Sequence, residues 1–298
     1  MGGEPSGRIG RADPAGVPPA RSWLFVPATR PDRFAKAVTS GADRVIIDLE
    51  DAVAPAAKVA ARERLAATPL PSGVPIYLRV NGVGSEWFAD DLAAAAALPL
   101  AGIVLPKAES AEHVARAIAA LAPAGAAVPA ARAPVVPILE TAAGVWNALE
   151  IARSPRVERV AFGALDFQLD TGVRGDGEEL AFARSRIVLA SRVAGVAPPV
   201  DAVTPDLDDE RRLERDLERA RRFGFGGKLC IHPYQVAAAN RAFSPTPEEV
   251  AWARGLLDAL GGIPEAQRGT FSFQGAMVDR PVVERARAIL AAEGRGLP

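Results

Sequence analysis

The feature that most constrains the fold of this chain is a repeated alternation of apolar, β-prone runs with amphipathic or alanine-rich stretches. Runs of this length and composition are typical of buried parallel strands, and the stretches between them have helical spacing. The predicted strands are Trp23–Val26, Arg44–Leu49, Ile76–Val80, Gly102–Leu105, Val135–Leu139, Val160–Leu165, Pro199–Val203 and Gly227–Ile231. Eight such strand–helix units over about 210 residues predict an α/β fold of the (β/α)8 TIM barrel type, which usually takes about 250 residues.

The competing α/β fold is an open doubly wound sheet. Such a sheet normally carries a glycine-rich phosphate turn after an early strand, whereas the first run here is followed by Ala28-Thr29-Arg30-Pro31. The sequence also contains no Walker motif and no dinucleotide fingerprint. We therefore expect a barrel over residues 21–240, a disordered tail at residues 1–20 and a C-terminal helical extension over residues 241–298.

Charge and cysteine content narrow the range of partners. The 298 residues carry a formal net charge of −1, which argues against nucleic acid or an anionic membrane as the main partner. No uninterrupted apolar stretch is long enough to cross a bilayer, and the first residues lack the hydrophobic core of a signal peptide. Cys230 is the single cysteine, so no intrachain disulfide can form. These observations predict a cytoplasmic protein.

Two carboxylates, Glu140 and Asp166, each close an apolar run of the sequence. In a barrel the carboxyl ends of the strands form the active-site face. An isolated buried carboxylate is costly, so these groups must be hydrated, paired or bound to a cation. Their position on successive strands suggests one site for a hard cation, Mg²⁺ above all. Two solvated strand ends would explain the same pattern.

Other predicted strand ends carry further charged residues. Asp48 and Glu50 share one face of their strand by its period-two alternation, and Asp51 begins the following loop. Arg79 is placed where its guanidinium could hold a small carboxylate in a bidentate pair, or could instead pair with Glu50 or Asp51. Lys107 could contact a substrate or pair with the acidic residues.

Seven segments, in order, resemble the citrate lyase β-subunit and malyl-CoA lyase group of the HpcH/HpaI aldolase/citrate lyase superfamily. They are Arg21-Ser22-Trp23-Leu24-Phe25-Val26-Pro27, Asp48-Leu49-Glu50-Asp51-Ala52-Val53, Leu78-Arg79-Val80-Asn81, Leu105-Pro106-Lys107, Ile138-Leu139-Glu140-Thr141, Gly163-Ala164-Leu165-Asp166-Phe167 and Gly227-Lys228-Leu229-Cys230-Ile231-His232-Pro233. The resemblance extends over residues 21–292.

The resemblance implies a Mg²⁺-dependent lyase that acts on a CoA thioester and a small 2-oxoacid. The reaction would be reversible cleavage of a 3-hydroxyacyl-CoA, such as malyl-CoA or citramalyl-CoA, to acetyl-CoA and the oxoacid. Glu140 and Asp166 would be the protein ligands of the metal. Glu50 and Asp51 would orient metal-bound waters and Arg79.

The resemblance also assigns contacts to the substrate. Arg79 would hold the substrate carboxylate, and backbone N–H groups around Ala164 and Leu165 would reach the bound acid. The candidate contacts to CoA phosphates are all cations: Arg30, Lys36 and Lys228.

The C-terminal segment resembles the lid of malyl-CoA and citramalyl-CoA lyases. Phe271–Pro281 precedes a helical stretch, and the resemblance makes Asp279 the proton-transfer group, which reaches the site of a neighbouring subunit. This arrangement implies a homotrimer or hexamer. Asp279 could instead simply cap the helix that begins at Arg280 or Pro281.

Three alternative functions stay open at this point. A citrate lyase β-subunit would act on an acyl-carrier thioester and would need a partner protein. A class II 2-oxoacid aldolase would work without CoA. A non-catalytic carboxylate-binding protein would bind ligand with Mg²⁺ and turn nothing over, although the metal pair together with Asp279 argues against it.

Overall fold

The computed structural model describes residues 20–121, 132–262 and 270–293. The predicted disordered tail therefore lies outside the described residues, apart from Ala20. The described chain divides into two compact units, one ending at Asn240 and the other beginning at Arg241. Within the described ranges, no helix is both long enough and apolar enough to traverse a bilayer.

Eight parallel strands close into a barrel in chain order, which confirms the predicted (β/α)8 fold. Closure is made by the first and last strands, where Trp23 pairs with Leu229. The barrel strands are β1 (Ser22–Pro27), β2 (Arg44–Asp48), β3 (Ile76–Arg79), β4 (Gly102–Leu105), β5 (Val135–Leu139), β6 (Ala161–Phe162), β7 (Val200–Asp201) and β8 (Gly227–Cys230).

Helices follow the strands around the barrel. They are α1 (Phe34–Val38), α2 (Lys58–Ala67), α3 (Phe88–Ala97), α4 (Ala111–Leu121), α5 (Ala142–Trp146), α6 (Ala148–Ala152), α7 (Ala164–Thr171), α8 (Ala181–Ala194), α9 (Glu210–Phe223) and α10 (Tyr234–Ala242). Local chemistry sets the ends of α9: the Asp209 carboxylate accepts a hydrogen bond from Arg212 N at 2.9 Å, and Gly224 ends the helix with a φ of 99°.

The interior of the barrel is filled by apolar side chains from most of its strands. Trp23 and Tyr77 meet edge to face with ring centroids 4.9 Å apart. Val200 and Leu229 belong to the same interior cluster. Because side chains alternate along a strand, the residues next to Val200 and Leu229 on β7 and β8 face the helices instead.

The sixth strand is much shorter than the sequence predicts. The run Val160–Leu165 was expected to be one strand, but β6 ends at Phe162 and α7 begins at Ala164. Asp166 therefore lies in the first turn of a helix, where a carboxylate interacts favourably with the helix dipole, and the prediction that it closes a strand is wrong. Gly163 lies between the two elements, where a Cβ would lie 2.3 Å from Glu140 Oε2, so a side chain at this position would clash with that carboxylate.

The C-terminal unit pairs two helices with a hairpin. Its elements are α11 (Pro247–Gly261), β9 (Phe271–Phe273), β10 (Ala276–Val278) and α12 (Arg280–Glu293). Gln274 and Gly275 form the two-residue hairpin turn, both with positive φ, as a type I′ turn requires. The hairpin and the two helices share a small apolar core that includes Leu256, Val278 and Val283.

Candidate active site

Glu140 lies directly after β5 and is 3% exposed. Its Oε1 accepts a hydrogen bond from the backbone N–H of Lys107 at 2.7 Å, and its other oxygen lies against Gly163. Burial, together with the negative charges of Glu50 and Asp166, raises the pKa of Glu140 to about 8. In the folded protein, nearby positive charges and hydrogen bonds therefore do not balance the negative charge of ionised Glu140.

Lys107 contacts two of the acidic residues, one through its backbone and the other through its side chain. Its backbone N–H binds Glu140, while its Nζ lies 2.6 Å from Glu50 Oε1. Burial opposes its charge, but the hydrogen bond and charge of Glu50 outweigh this and raise the pKa of Lys107 to about 12. Its φ of 49° is unusual for a residue with a side chain, and such strain clusters at functional sites. Of the two roles left open for Lys107, the structure shows the pairing with acidic residues.

Arg79, at the end of β3, contacts three acidic residues of the β2 end and the following loop. Its Nε and Nη2 donate to the two oxygens of Asp48 at 2.7 and 2.6 Å. Its Nη1 lies 2.9 Å from Glu50 Oε2 and 3.2 Å from Asp51 Oδ2. The guanidinium also stacks over Phe25, 4.7 Å from the ring centroid. Pairing with Glu50 and Asp51 was one of the two expectations for Arg79, whereas the bidentate partner Asp48 was not anticipated.

Asp48 also builds the loop that presents Glu50. Its Oδ1 accepts from Glu50 N at 2.8 Å and its Oδ2 from Ala52 N at 3.1 Å. Lys58 holds the same loop from below, because its buried Nζ donates to the carbonyls of Leu49 and Glu50, both at 2.9 Å. The signal for Asp48 was present in the sequence, since it shares a strand face with Glu50.

Glu50 is 6% exposed, and burial raises the pKa of its carboxyl despite Arg79 and Lys107. Its Oε2 is within ion-pair distance of Arg79 but has no hydrogen-bond partner of suitable geometry. We call the set Asp48, Glu50, Asp51, Arg79, Lys107, Glu140 and Asp166 the mouth cluster.

The mouth cluster has the chemistry of a hard-cation site. Its donors are carboxylate oxygens, which Mg²⁺ prefers. Glu140 has a raised pKa, which a nearby divalent cation would lower. Among the described residues, no three His, Cys, Asp or Glu side chains form a ready-made metal cage. Glu140 and Asp166 therefore fit a site that water and a bound acid complete, as is usual for Mg²⁺.

The other predicted contact residues lie in different settings. Ala164 is buried and Leu165 is 49% exposed, and both belong to the first turn of α7, whose N–H groups have no partner within the helix. Arg30 is exposed and forms a two-point pair with Asp32, at 2.9 and 2.7 Å. Lys36 is exposed on α1. Lys228 is 1% exposed, and its Nζ donates to a backbone carbonyl.

Asp279 caps α12 of the C-terminal unit. Its Oδ1 accepts a hydrogen bond from Val282 N at 3.3 Å, and its carbonyl accepts one from Val283 N at 3.1 Å. The capping role is therefore present in the structure. The catalytic role that the resemblance assigns to Asp279 remains a prediction.

A closed (β/α)8 barrel with buried carboxylates at the carboxyl ends of its strands places this chain among the barrel proteins whose active-site face has oxygen donors suited to a hard cation. The family model described as HpcH/HpaI aldolase/citrate lyase matches residues 21–233. The chain belongs to this family, as its seven sequence segments predicted.

Known relatives cover almost the whole chain. A citrate lyase subunit beta-like protein of Deinococcus radiodurans is 42% identical over 291 residues, which are 93% of this chain and 99% of the relative. A (3S)-malyl-CoA thioesterase of Cereibacter sphaeroides is 35% identical, over 92% of this chain and 94% of the relative. The crystal structure of protein CitE from Mycobacterium tuberculosis, in complex with magnesium, acetoacetate and coenzyme A, is 38% identical with a TM-score of 0.79. That comparison covers 93% of this chain and 98% of the CitE chain.

Proposed function

We propose that this member of a lyase family is a Mg²⁺-dependent CoA-ester lyase. It cleaves a 3-hydroxyacyl-CoA, such as malyl-CoA or citramalyl-CoA, to acetyl-CoA and a 2-oxoacid, and it runs the reverse condensation. The observation that carries the proposal is the buried Glu140 carboxyl, whose pKa is raised to about 8 within an acidic barrel mouth. The magnesium and coenzyme A of the CitE complex match two components that this reaction needs, and its acetoacetate is a small oxoacid, although a 3-oxoacid and not a 2-oxoacid.

Glu140 and Asp166 hold Mg²⁺ in this proposal, and the metal supplies Lewis-acid polarisation of the oxoacid carbonyl. Glu50 and Asp51 orient its waters. Lys107 contacts Glu50 through its side chain and Glu140 through its backbone N–H, so it lies between these two carboxylates.

Arg79 binds the carboxylate of the acid through Nη1. Its other two donor nitrogens are held by Asp48, so the guanidinium plane is oriented before a substrate arrives. Substrate would exchange with Glu50 and Asp51 at Nη1, where the contacts are an ion pair and a 3.2 Å hydrogen bond. The N–H groups of Ala164 and Leu165 offer a second contact to the acid.

The exposed cations on the β1–α1 side are the proposed contacts for CoA phosphates. Lys36 is exposed on α1, and Arg30 would exchange its exposed pair with Asp32 for a phosphate. Lys228 is not retained for this role because its ammonium is buried and bonded to Ala202 O at 2.7 Å.

Cleavage breaks the bond between the α-carbon of the thioester and the hydroxyl-bearing carbon. The electron pair of that bond forms the thioester enolate, and the hydroxyl gives its proton to solvent water as it becomes the carbonyl of the oxoacid. Asp279 is proposed to transfer the proton at the acetyl carbon, in the site of a neighbouring subunit of a homotrimer or hexamer. A carboxyl group is suited to this because its protonated form can donate the proton in cleavage and its ionised form can remove it in condensation.

The test is a condensation assay with the purified full chain. Acetyl-CoA or propionyl-CoA is mixed with glyoxylate or pyruvate and Mg²⁺, and the thioester products are followed by mass spectrometry. We expect a hydroxyacyl-CoA product that disappears with EDTA and falls by roughly 10²- to 10⁴-fold in Asp279→Asn, the usual contribution of general acid–base catalysis. Asn is also a good N-cap, so this variant should fold normally.

If no pair of substrates gives a product, the proposal of a CoA-ester lyase is contradicted. Full turnover by Asp279→Asn would contradict only the role of Asp279. Release of the free hydroxy acid in place of its thioester would instead indicate hydrolysis, the activity in the name of the Cereibacter sphaeroides relative.

A second candidate is cleavage of an acyl-carrier thioester, which the citrate lyase subunit beta-like name of the Deinococcus radiodurans relative favours. It predicts no turnover of free CoA esters and turnover once a carrier protein with the same acyl group is supplied. The same assay, repeated with the carrier thioester, separates the two candidates.

A further inference from the structure

A second charged cavity lies between the barrel wall and the helix layer; of the groups used in the proposed reaction, only Ala164 and Leu165 on α7 border it. We call it the outer-wall cavity; its volume is about 180 Å³. Its charged lining comes from β7, β8, α8, α9 and the loop after α7: Asp176, Arg184, Asp201, Arg212, Asp216, Arg219 and Lys228. None of the mouth-cluster residues lines it.

The strand register explains why this cavity is separate from the mouth. Asp201 on β7 pairs in register with Lys228 on β8. Their neighbours Val200 and Leu229 belong to the barrel interior, so Asp201 and Lys228 face the helix layer by alternation. The first turn of α7 forms a further part of the cavity wall, through Ala164 and Leu165.

Lys228 is the buried cation of this cavity whose hydrogen-bond donors are not all used. It is 1% exposed, and among the described residues its Nζ has one hydrogen bond, to Ala202 O at 2.7 Å, and no carboxylate within 4.0 Å. Burial lowers the pKa of Lys228, and the charges of Asp201 and Asp216 offset only part of this. An ammonium has three donors, so its hydrogen-bonding capacity in this cavity is not used up by the carbonyl.

The carboxylates of the cavity are already committed to arginines. Asp201 pairs with Arg184 at 3.4 Å, and Asp216 binds Arg219 at 2.6 Å and Thr204 at 2.7 Å. Asp176 accepts from Arg212 at 2.9 Å, and Arg212 has a further partner in Asp206 on its exposed side. These pairs leave no local carboxylate to balance Lys228.

Arg219 adds a second donor. Its Nη2 is occupied by Asp216, but its Nε is buried with no hydrogen-bond partner. A buried polar atom in this state costs free energy unless a ligand or water satisfies it. Arg219 is also close enough to Lys228 for its charge to lower the pKa of the lysine, so the two donors lie in one region.

The apolar part of the lining limits the kind of anion. Leu165, Val203 and Pro205 line the same cavity, beside its charged residues. We propose that the outer-wall cavity binds a short-chain carboxylate, whose oxygens accept hydrogen bonds from Lys228 Nζ and Arg219 Nε while its hydrocarbon part contacts the apolar lining. This goes beyond the proposed lyase reaction and does not depend on it.

The test uses the full chain in excess EDTA, so that a metal-dependent acid site does not contribute. Propionate binding is followed by ligand-observed NMR at constant ionic strength, with inorganic phosphate titrated separately. We expect saturable propionate binding that weakens by about tenfold or more in Lys228→Met and in Arg219→Gln, as loss of a charge-assisted hydrogen bond implies. Arg211→Met, which removes a cation of α9 that does not line the cavity, should bind normally, and so should Glu140→Ala.

Each other outcome contradicts the proposal in a different way. Absence of saturable binding by the wild-type chain would mean that water alone fills the cavity. Binding that is unchanged in both Lys228→Met and Arg219→Gln, or that is lost in Glu140→Ala, would place the carboxylate elsewhere. Tighter binding of phosphate than of propionate would identify the wrong class of anion. Because Arg219 is partly exposed, Arg219→Gln keeps the test valid if Lys228→Met fails to fold.

Discussion

The mouth cluster and the outer-wall cavity both bury charged side chains near the carboxyl ends of barrel strands, but their charge balance is opposite. The mouth cluster contains five carboxylates and two cations; Asp48, Glu50 and Asp51 pair with Arg79, Glu50 also pairs with Lys107, and Glu140 and Asp166 form no ion pair with either cation. In the outer wall, three lining carboxylates are paired with arginines, and Lys228 is left without an acidic partner.

The comparison shows that buried charge by itself does not indicate what a site binds. What matters is which sign is left uncompensated after the internal pairs are formed. Glu140 has its pKa raised by burial and by neighbouring acids, which supports the proposed cation in the mouth. Lys228 has its pKa lowered by burial, which supports the proposed anion in the outer wall.

The largest difference between the two regions is expected when one buried cation of each is replaced by Met. Arg79→Met removes a guanidinium from a bidentate pair and leaves Asp48 and Glu50 buried without it, which costs about 3–5 kcal/mol of unfolding free energy. Lys228→Met removes an ammonium that has no acidic partner, so we expect stability to be unchanged or increased. Denaturant unfolding in EDTA measures both; a large loss for Lys228→Met would show that the lysine is internally balanced.

Glu140→Ala tests whether the mouth is a cation site. Removal of this oxygen ligand should reduce Mg²⁺ affinity by more than the roughly 10- to 100-fold that is typical of a supporting residue. Calorimetric titration with Mg²⁺ measures the effect, and Glu112→Ala on the exposed side of α4 is the matched control. Normal Mg²⁺ affinity in Glu140→Ala would mean that the metal binds elsewhere.

The raised pKa of Glu140 predicts two opposite effects of pH. As the pH rises, the stability of the metal-free protein should fall, whereas the affinity for Mg²⁺ should increase. A carboxyl whose pKa rises on folding, here from 4.5 to about 8, stabilises the fold at low pH and loses that contribution as the pH rises through about 8. Mg²⁺ needs the ionised form, so its apparent affinity should increase by up to about tenfold per pH unit up to that value.

Thermal unfolding in EDTA and Mg²⁺ titration, both from pH 5 to 9, measure this effect. Glu140→Gln cannot ionise and should remove the corresponding part of the pH dependence of unfolding. A variant with the same pH profile as the wild type would assign the titration to another group.

Lys107→Met should have the smallest effect. The Lys107 ammonium is 43% exposed, and its positive charge competes with a metal ion for the negative charge of Glu50. Its removal should therefore increase Mg²⁺ affinity only a few-fold. The backbone hydrogen bond to Glu140 should survive the substitution. Mg²⁺ titration of Lys107→Met and Lys107→Arg checks this, and weaker Mg²⁺ binding in Lys107→Met would show that the lysine organises the metal ligands.

Several features of the mouth were predictable from local patterns. The eight strand–helix units define the barrel, because a parallel strand buried on both faces is read directly as an apolar run. The carboxyl ends of those runs then identify Glu140, Glu50, Asp51 and Arg79 as neighbours. The prediction that Asp166 closes a strand was wrong. An apolar run of six residues does not distinguish one strand from a shorter strand that is followed by a glycine and the first turn of a helix.

The fold class and the residues gathered at the barrel mouth follow from periodicity and chain order along the sequence. The pairing of their charges, in contrast, depends on how the chain folds. The bidentate pair of Asp48 with Arg79 and the contacts of Lys107 with Glu50 and Glu140 join elements that are distant in the chain. Electrostatic compensation depends on distances of a few ångströms and on burial, and neither is set by spacing along a sequence.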